Sequence, residues 1–323
     1  MKKFRLTSIV LALLLLLTAP CLVAESAVKE ANAQQAILVT GASTGIGRKI
    51  AEDLAESGFF VYAGARKQKD IDALNQIANI QAVRLDVTIQ EEIDAAVETV
   101  RKGNKGLYGL VNNAGVYIGG PLIEVDLEEL QWLMDINVYG VYRVTQAFAP
   151  MIIESKGRIS TISSISGINT GRFSGQYSMS KHAVEAYTDA LALEMEKFDV
   201  QVSVIEPGNY DSAIGATAKK RMSGKLSAEK SPYYSEELVE WLEGSWDRGQ
   251  YKGPGEVSEA AMHALVNDKP LRRYMVVPSE PEAAWAIDKV IRELVEFNQW
   301  QAYSYSREQL IEKLDAALKA AGE

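Results

Sequence analysis

The sequence predicts an α/β fold: a doubly wound parallel sheet of seven strands with helices on both faces, three layers in all. Three observations predict it. From Gln35 onward, short apolar runs alternate with amphipathic stretches of helical spacing, the order of a chain built from strand-helix-strand units. The apolar runs lack the polar alternation of a half-wet sheet, as strands buried on both faces do. The first run also leads directly into a glycine-rich turn and a helix.

In chain order, the first strand is AILVT at 36 to 40, followed by the turn 40 to 47 and a helix beginning near Arg48. The second and third strands are FFVYA at 59 to 63 and IQAVRLDV at 80 to 87, and the fourth is LYGLVNNAG at 107 to 115. A long helix follows from about Asp126 to Glu154, then the fifth strand, RISTIS at 158 to 163, and a second long helix from about Gly175 to Phe198. VQVSVIEPG at 200 to 208 and RYMVV at 273 to 277 complete the sheet. Between them, 209 to 255 turns polar and irregular and carries Pro232, Tyr233, Tyr234, Trp241 and Trp246. A long aromatic-bearing loop of this kind reads as a lid over substrate. Amphipathic stretches at 282 to 297 and 307 to 320 close the chain, their apolar faces suited to covering the sheet or joining two subunits. The catalytic domain is thus read as a single unit over 35 to 323, with a C-terminal helical extension at about 281 to 321.

The N-terminus reads as an address. Lys2, Lys3 and Arg5 precede the apolar run Leu6 to Thr18, and small residues follow at Ala19, Ala24, Ala31 and Ala33, the order of a secretory signal. Cleavage is expected after Ala24 or as late as Ala33, leaving an exported domain. The rival reading is an uncleaved anchor that keeps the protein at a membrane. The run is short for a span, and the mass of the expressed protein separates the two.

With 34 Lys+Arg against 43 Asp+Glu, the net charge of -9 excludes nucleic acid as an expected partner. Cys21 is the only cysteine and lies in the N-terminal segment, so no disulfide is expected in the globular part. His182 and His263 are far apart in sequence and form no metal-ligand pattern.

The turn Thr40-Gly41-Ala42-Ser43-Thr44-Gly45-Ile46-Gly47 stands where backbone amides approach a pyrophosphate at the positive end of a helix. At the end of the second strand, an acidic residue would hold the adenosine ribose 2'-hydroxyl. Here Gly64-Ala65-Arg66-Lys67 holds no carboxylate, and the planar fork of Arg66 suits a 2'-phosphate. NADP(H) is therefore expected in preference to NAD(H).

Ser164 ends the fifth strand, and Tyr177 and Lys181, four apart, lie on one face of the next helix. A phenol is protonated at neutral pH and needs help to act as a base. An ammonium about 5 Å away is worth roughly 3 kcal/mol, about two pKa units, at an effective dielectric of about 20. A neighbouring serine hydroxyl would hold the substrate oxygen.

TGASTGIG at 40 to 47, LDVT at 85 to 88, NNAG at 112 to 115, Asn137, Ser164, YSMSK at 177 to 181 and PG at 207 to 208 occur in register over about Ile37 to Val277. The chain thereby resembles the short-chain dehydrogenase/reductase family in its non-extended branch, a Rossmann-type fold. The resemblance implies that Tyr177 is the acid/base, that Lys181 binds the nicotinamide ribose and lowers the tyrosine pKa, that Ser164 positions the substrate oxygen, and that Asn137 holds a relay water. It further implies that Asp86 and Val87 meet the adenine, that Asn113, Ala114 and Gly115 support the adenosine side, and that Pro207 and Gly208 border the nicotinamide. Ser212 stands where this family usually has threonine and keeps a hydroxyl for the carboxamide. GLYGLVNNAGV, SKHAVEAYTDAL and PLRRYMVV are similar to members acting on retinoids, steroids and hydroxybutyrate. The expected partner is a small alcohol or ketone, with assembly as a homodimer or homotetramer and membrane contact through the N-terminal segment. Tyr117, Ile118, Phe173, Tyr210, Tyr233, Tyr234 and Trp241 are expected to line a pocket that favours lipophilic over charged substrates. A cofactor-binding sensor without turnover is the rival from another class; the complete Ser164, Tyr177, Lys181 set argues against it.

Overall fold

A computed structural model describes residues 35–322 apart from Ser245, so the expected signal or anchor and its cleavage sites lie outside the described residues. Seven strands form one sheet: β1 (Ala36–Val39), β2 (Phe60–Ala65), β3 (Ile80–Arg84), β4 (Gly109–Asn112), β5 (Arg158–Ile162), β6 (Gln201–Pro207) and β7 (Arg273–Val276). Every pairing is parallel, in the order β3-β2-β1-β4-β5-β6-β7. The expectation of a doubly wound, seven-stranded parallel sheet is met.

The period of two explains the layers. In β1, Ala36 and Leu38 enter one core with Tyr62, Leu110, Phe148 and Ile159, while Ile37 and Val39 enter the other with Ile50, Leu54, Val61 and Leu265. All four β1 residues are fully buried, which is why the run is apolar without alternation. Strand order reverses between β1 and β4. That opens a crevice at their carboxyl ends, between the glycine turn after Val39 and the Asn112-Asn113 corner.

Helices α1 (Gly45–Glu56), α2 (Gln68–Leu74) and α3 (Gln90–Lys102) connect the first four strands. Helix α1 begins at Gly45, earlier than expected from Arg48, because Thr44 already serves as its extended N-cap. The long helix after β4 comes in two parts, α4 (Leu127–Met134) and α5 (Gly140–Glu154), joined by the wider turn Asp135–Tyr139. Helix α6 (Gly175–Met195) follows β5. The segment read as irregular holds two helices, α7 (Ile214–Met222) and α8 (Ser235–Glu243). Its polar composition reflects a solvated outer face, and single buried residues such as Leu238 carry too weak a pattern to announce a helix. Helix α9 (Gly255–Val266) was not expected: its buried face is largely small, with Ala261 and Ala264 beside Val257 and Leu265, and alanines mark a packing face poorly.

The chain divides into two compact units, the first ending at Pro278 and the second being Ser279–Glu323, where the sequence was read as one domain with a helical extension. The second unit holds α10 (Glu280–Gln299) and α11 (Arg307–Ala321). Ser306 and Gln309 close a reciprocal cap at the start of α11. Among the described residues no helix is long and apolar enough to cross a membrane.

Candidate active site

The glycine turn is built by close approach. Gly41 and Gly45 both have left-handed backbones (φ 64° and 58°), which side chains rarely adopt. A Cβ on Gly41 would stand 2.8 Å from the Ala114 Cα, and one on Gly47 would stand 2.2 Å from the Asn113 Nδ2. Asn113 is therefore part of the turn's frame: its Nδ2 donates to the carbonyls of Thr40 (2.9 Å) and Gly41 (3.1 Å). The Thr40 hydroxyl accepts from the Asn113 and Ala114 amides at 2.9 and 3.0 Å. Ser43 and Thr44 carry the turn over the top to Ile46, which packs against the second core. No side chain caps α1 and no carboxylate occupies its first turn, so its leading amides are available to an anion. Ser212 stands over this turn, its Cβ 3.1 Å from where a Gly45 Cβ would be. This donor set fits a dinucleotide diphosphate.

Beside β2, Arg66 is more than half exposed and lies 3.5 Å from Asp86. Burial alone would raise the Asp86 carboxyl, but the Thr88 hydroxyl and amide, with Arg66, hold it below the usual carboxylate range. Val87 is buried and packs at Gly140, where a Cβ would meet its Cγ2 at 2.5 Å.

Ser164 is extended at the end of β5; its Oγ accepts from the Ser166 amide (3.1 Å) and donates to the Pro207 carbonyl (3.4 Å). Gly208 is fixed by its amide donating to the Val276 carbonyl at 2.8 Å. Lys181 is almost wholly buried, and its Nζ donates to the Ile162 carbonyl at 2.9 Å, 5.7 Å from the centre of the Tyr177 ring. Burial lowers the Lys181 ammonium to about 8, against the raising influence of Glu185. Burial pushes the Tyr177 phenol up to about 12; a hydrogen bond with Ser164 and the charge of Arg248 act the other way. The direction is opposite to that expected from Lys181 alone, because removing a phenolate from water outweighs the help of Ser164 and Arg248.

Asn137 occupies the wide turn between α4 and α5, where π geometry commonly marks a functional position. Its Oδ1 accepts from the Val116 amide (2.8 Å), and its Nδ2 donates to the Val116 carbonyl (2.9 Å) and the Ser180 hydroxyl (3.0 Å). It thus ties the loop after β4 to the residue preceding Lys181. A Cβ on Gly115 would lie 3.5 Å from Asn137 Oδ1 and 3.8 Å from Lys181 Nζ, so all three converge.

An unbroken run of rings leads from Tyr177 outward. Tyr117 lies 5.0 Å from Tyr177 and 6.1 Å from Trp246, Trp246 is 4.8 Å from Trp241, and Phe173 stands 5.9 Å from Trp241 and 5.6 Å from Tyr234. Phe173 has φ 61°, rare for a bulky residue, and its carbonyl accepts from the Gly120 amide at 2.7 Å. Of the residues expected to line a pocket, Tyr117, Phe173, Tyr234 and Trp241 join this run. The other three do not: Ile118 and Tyr210 are fully buried in the core and Tyr233 is 73% exposed. Tyr210 donates to Glu256 at 2.6 Å, a use for its hydroxyl that an aromatic count cannot foresee. Sequence reasoning missed Arg248, and it missed the buried cluster in which Arg273 of β7 pairs with Glu185 of α6 and Glu206 of β6. Neither belongs to a local motif. His182 and His263 bond to Ser178 and Tyr274, and no group of metal-ligating side chains occurs among the described residues.

Comparison with known proteins gives a consistent picture. The family model described as short chain dehydrogenase matches residues 35–223. Mouse "D-beta-hydroxybutyrate dehydrogenase, mitochondrial" is 33% identical over 267 residues, covering 76% of this chain and 77% of that protein. The "NADPH-dependent 1-acyldihydroxyacetone phosphate reductase" of Schizosaccharomyces pombe is 35% identical over 205 residues, 63% of this chain and 69% of that one. The crystal structure of a short-chain dehydrogenase from Streptomyces avermitilis superposes with a TM-score of 0.68 at 28% identity, covering 82% of this chain and 96% of its own.

Proposed function

This chain belongs to the short-chain dehydrogenase family, and from that premise we propose that it is an NADP(H)-dependent oxidoreductase interconverting a lipophilic alcohol with its ketone or aldehyde. The observation that carries this reading is the meeting of three groups from two elements: Ser164 at the end of β5, and on α6 the Tyr177 phenol it bonds and the buried Lys181 one helical turn away.

When bound, the nicotinamide supplies or accepts the hydride. In reduction, Ser164 holds the carbonyl oxygen and Tyr177 donates its proton to that oxygen. A phenol raised to about 12 rests fully protonated at neutral pH, which suits an acid. Lys181, still mostly charged below about 8, stabilises the phenolate that remains. Oxidation runs the same transfers in reverse. The ring run from Tyr117 to Tyr234 excludes water and favours an apolar substrate body.

Arg66 supports the choice of NADP(H): it is exposed, no carboxylate lies in Gly64-Ala65-Arg66-Lys67, and its contact with Asp86 is long enough to give way to a phosphate. The 1-acyldihydroxyacetone phosphate reductase relative carries NADPH dependence in its name. Arg66→Asp is expected to shift the ratio of kcat/KM for NADPH over NADH by about 10- to 100-fold toward NADH, the worth of a charge-assisted contact. An unchanged ratio, or NADH preferred by the unaltered enzyme, overturns the cofactor assignment. Following NADPH absorbance over steroids, retinoids, aliphatic ketones and 3-oxo acids tests the reaction; no turnover on any carbonyl refutes it.

A further inference from the structure

Among the described residues, one charge near the phenols forms an ion pair with no carboxylate. Arg248 follows the lid tryptophan Trp246 by two residues and is half-buried. Its Nε donates to the Tyr210 carbonyl (3.0 Å), its Nη2 donates to the Asn209 Oδ1 (3.0 Å), and its guanidinium lies 4.9 Å from the centre of the Tyr251 ring. Both acceptors are neutral, and no carboxylate among the described residues forms an ion pair with it. Asn209 and Tyr210 directly follow Pro207-Gly208, to whose carbonyl Ser164 is bonded, so the tethers hold the guanidinium at the rim of the catalytic centre. The side chain also lies against Gly215, where a Cβ would meet its Cγ at 3.3 Å. Its positive field reaches both Tyr117 and Tyr177, opposing the rise that burial causes in each.

A half-buried guanidinium held only by two neutral acceptors keeps a charge and a planar fork suited to an anion. The two tethers orient the fork, and among the described residues Nη1 makes no hydrogen bond. We propose that Arg248 is the specificity-determining residue of this site and recognises an anionic group, a carboxylate or phosphate, carried by the substrate. The inference rests on the oxidoreductase reading and narrows it: the substrate is an amphiphile whose apolar body lies along the rings and whose negative end meets Arg248. On this proposal the lipophilic preference read from the sequence applies to the body of the substrate and not to its anionic end. The same fork could otherwise serve the cofactor diphosphate, and the experiment separates the two.

A matched pair, 3-oxohexanoate and its methyl ester, is reduced with NADPH. The unaltered enzyme is expected to favour the acid, and that preference should shrink as ionic strength rises. Arg248→Gln is expected to cut kcat/KM on the acid about 10- to 100-fold through KM, with a far smaller change on the ester, and Arg248→Lys to recover part of the acid preference. Fluorescence titration should give an NADPH Kd within about twofold of the original. Equal losses on acid and ester, or an NADPH Kd that rises in step with the loss, overturns the proposal, the second outcome assigning the fork to the cofactor. An unaltered enzyme that reduces neutral ketones but prefers the ester also overturns it and leaves the reductase reading standing. A chain that turns over neither fails both.

Discussion

Tyr177→Phe is expected to abolish turnover, a fall in kcat of about 100- to 10,000-fold, while NADPH still binds with little change in Kd. The phenyl ring keeps its packing against Tyr117 and loses only the hydroxyl that meets Ser164 and is proposed to move the proton. Because both rings occupy the same volume, the melting temperature should stay within a few degrees. Full activity in this variant sinks the mechanism. The pH profile of the unaltered enzyme adds a second check. Lys181 loses its charge above about 8 and Tyr177 remains protonated to about 12. Reduction, which needs a protonated phenol beside an ammonium, should hold through neutral pH and decline above about 8. Oxidation, which needs the phenolate that Lys181 stabilises, should rise with pH up to about 8 and level off above it. A reductive rate that climbs between pH 7 and 9 contradicts these assignments.

Arg273→Met should be strongly destabilising. It strands Glu206, which is fully buried, and Glu185, which is nearly so, each left with one carboxylate oxygen that already lacks a hydrogen-bond partner. Breaking a buried pair costs about 3–5 kcal/mol; discounted for the 40% exposure of the Arg273 side chain, about 2–4 kcal/mol is expected. Burial and the charge of Glu185 raise the Glu206 carboxyl to about 7, with Arg273 opposing. A carboxyl raised in the folded state favours its protonated form there, so its stabilising contribution is present at low pH and fades as pH climbs from about 4.5 to about 7. Glu206→Gln should flatten that slope, and Arg273→Met should lose more at pH 8 than at pH 5. Urea denaturation of the three proteins at both pH values decides it; a loss under about 1 kcal/mol for Arg273→Met at pH 8 refutes the account.

The strands were legible because burial on both faces writes itself as uninterrupted apolar runs, and β1 to β7 lie within a few residues of where those runs suggest. The proposed set of Ser164, Tyr177 and Lys181 was legible because these residues sit at fixed distances from strand ends. Helix α9 was not, since Ala261 and Ala264 pack without a strong apolar signature. The bracing of Thr40 and Gly41 by the Asn113 side chain was not legible either, since those residues lie more than 70 positions earlier. Arg248 and the Glu185, Arg273, Glu206 cluster depend on pairings between distant segments, and no local spacing encodes those. The same holds for the rise of the Tyr177 pKa, which is set by how thoroughly the surrounding loops exclude water.

The wide turn Asp135–Tyr139 makes the spacing of this helix unforgiving. Removing one residue there would let α4 and α5 merge into a regular helix with every backbone bond intact. It would also rotate one half against the other by about 100° and carry the Asn137 amide away from Val116 and Ser180. The helix therefore carries an insertion whose purpose is aim: its backbone gives up one ideal turn so that a single side chain can join two segments that the sheet alone would leave unconnected.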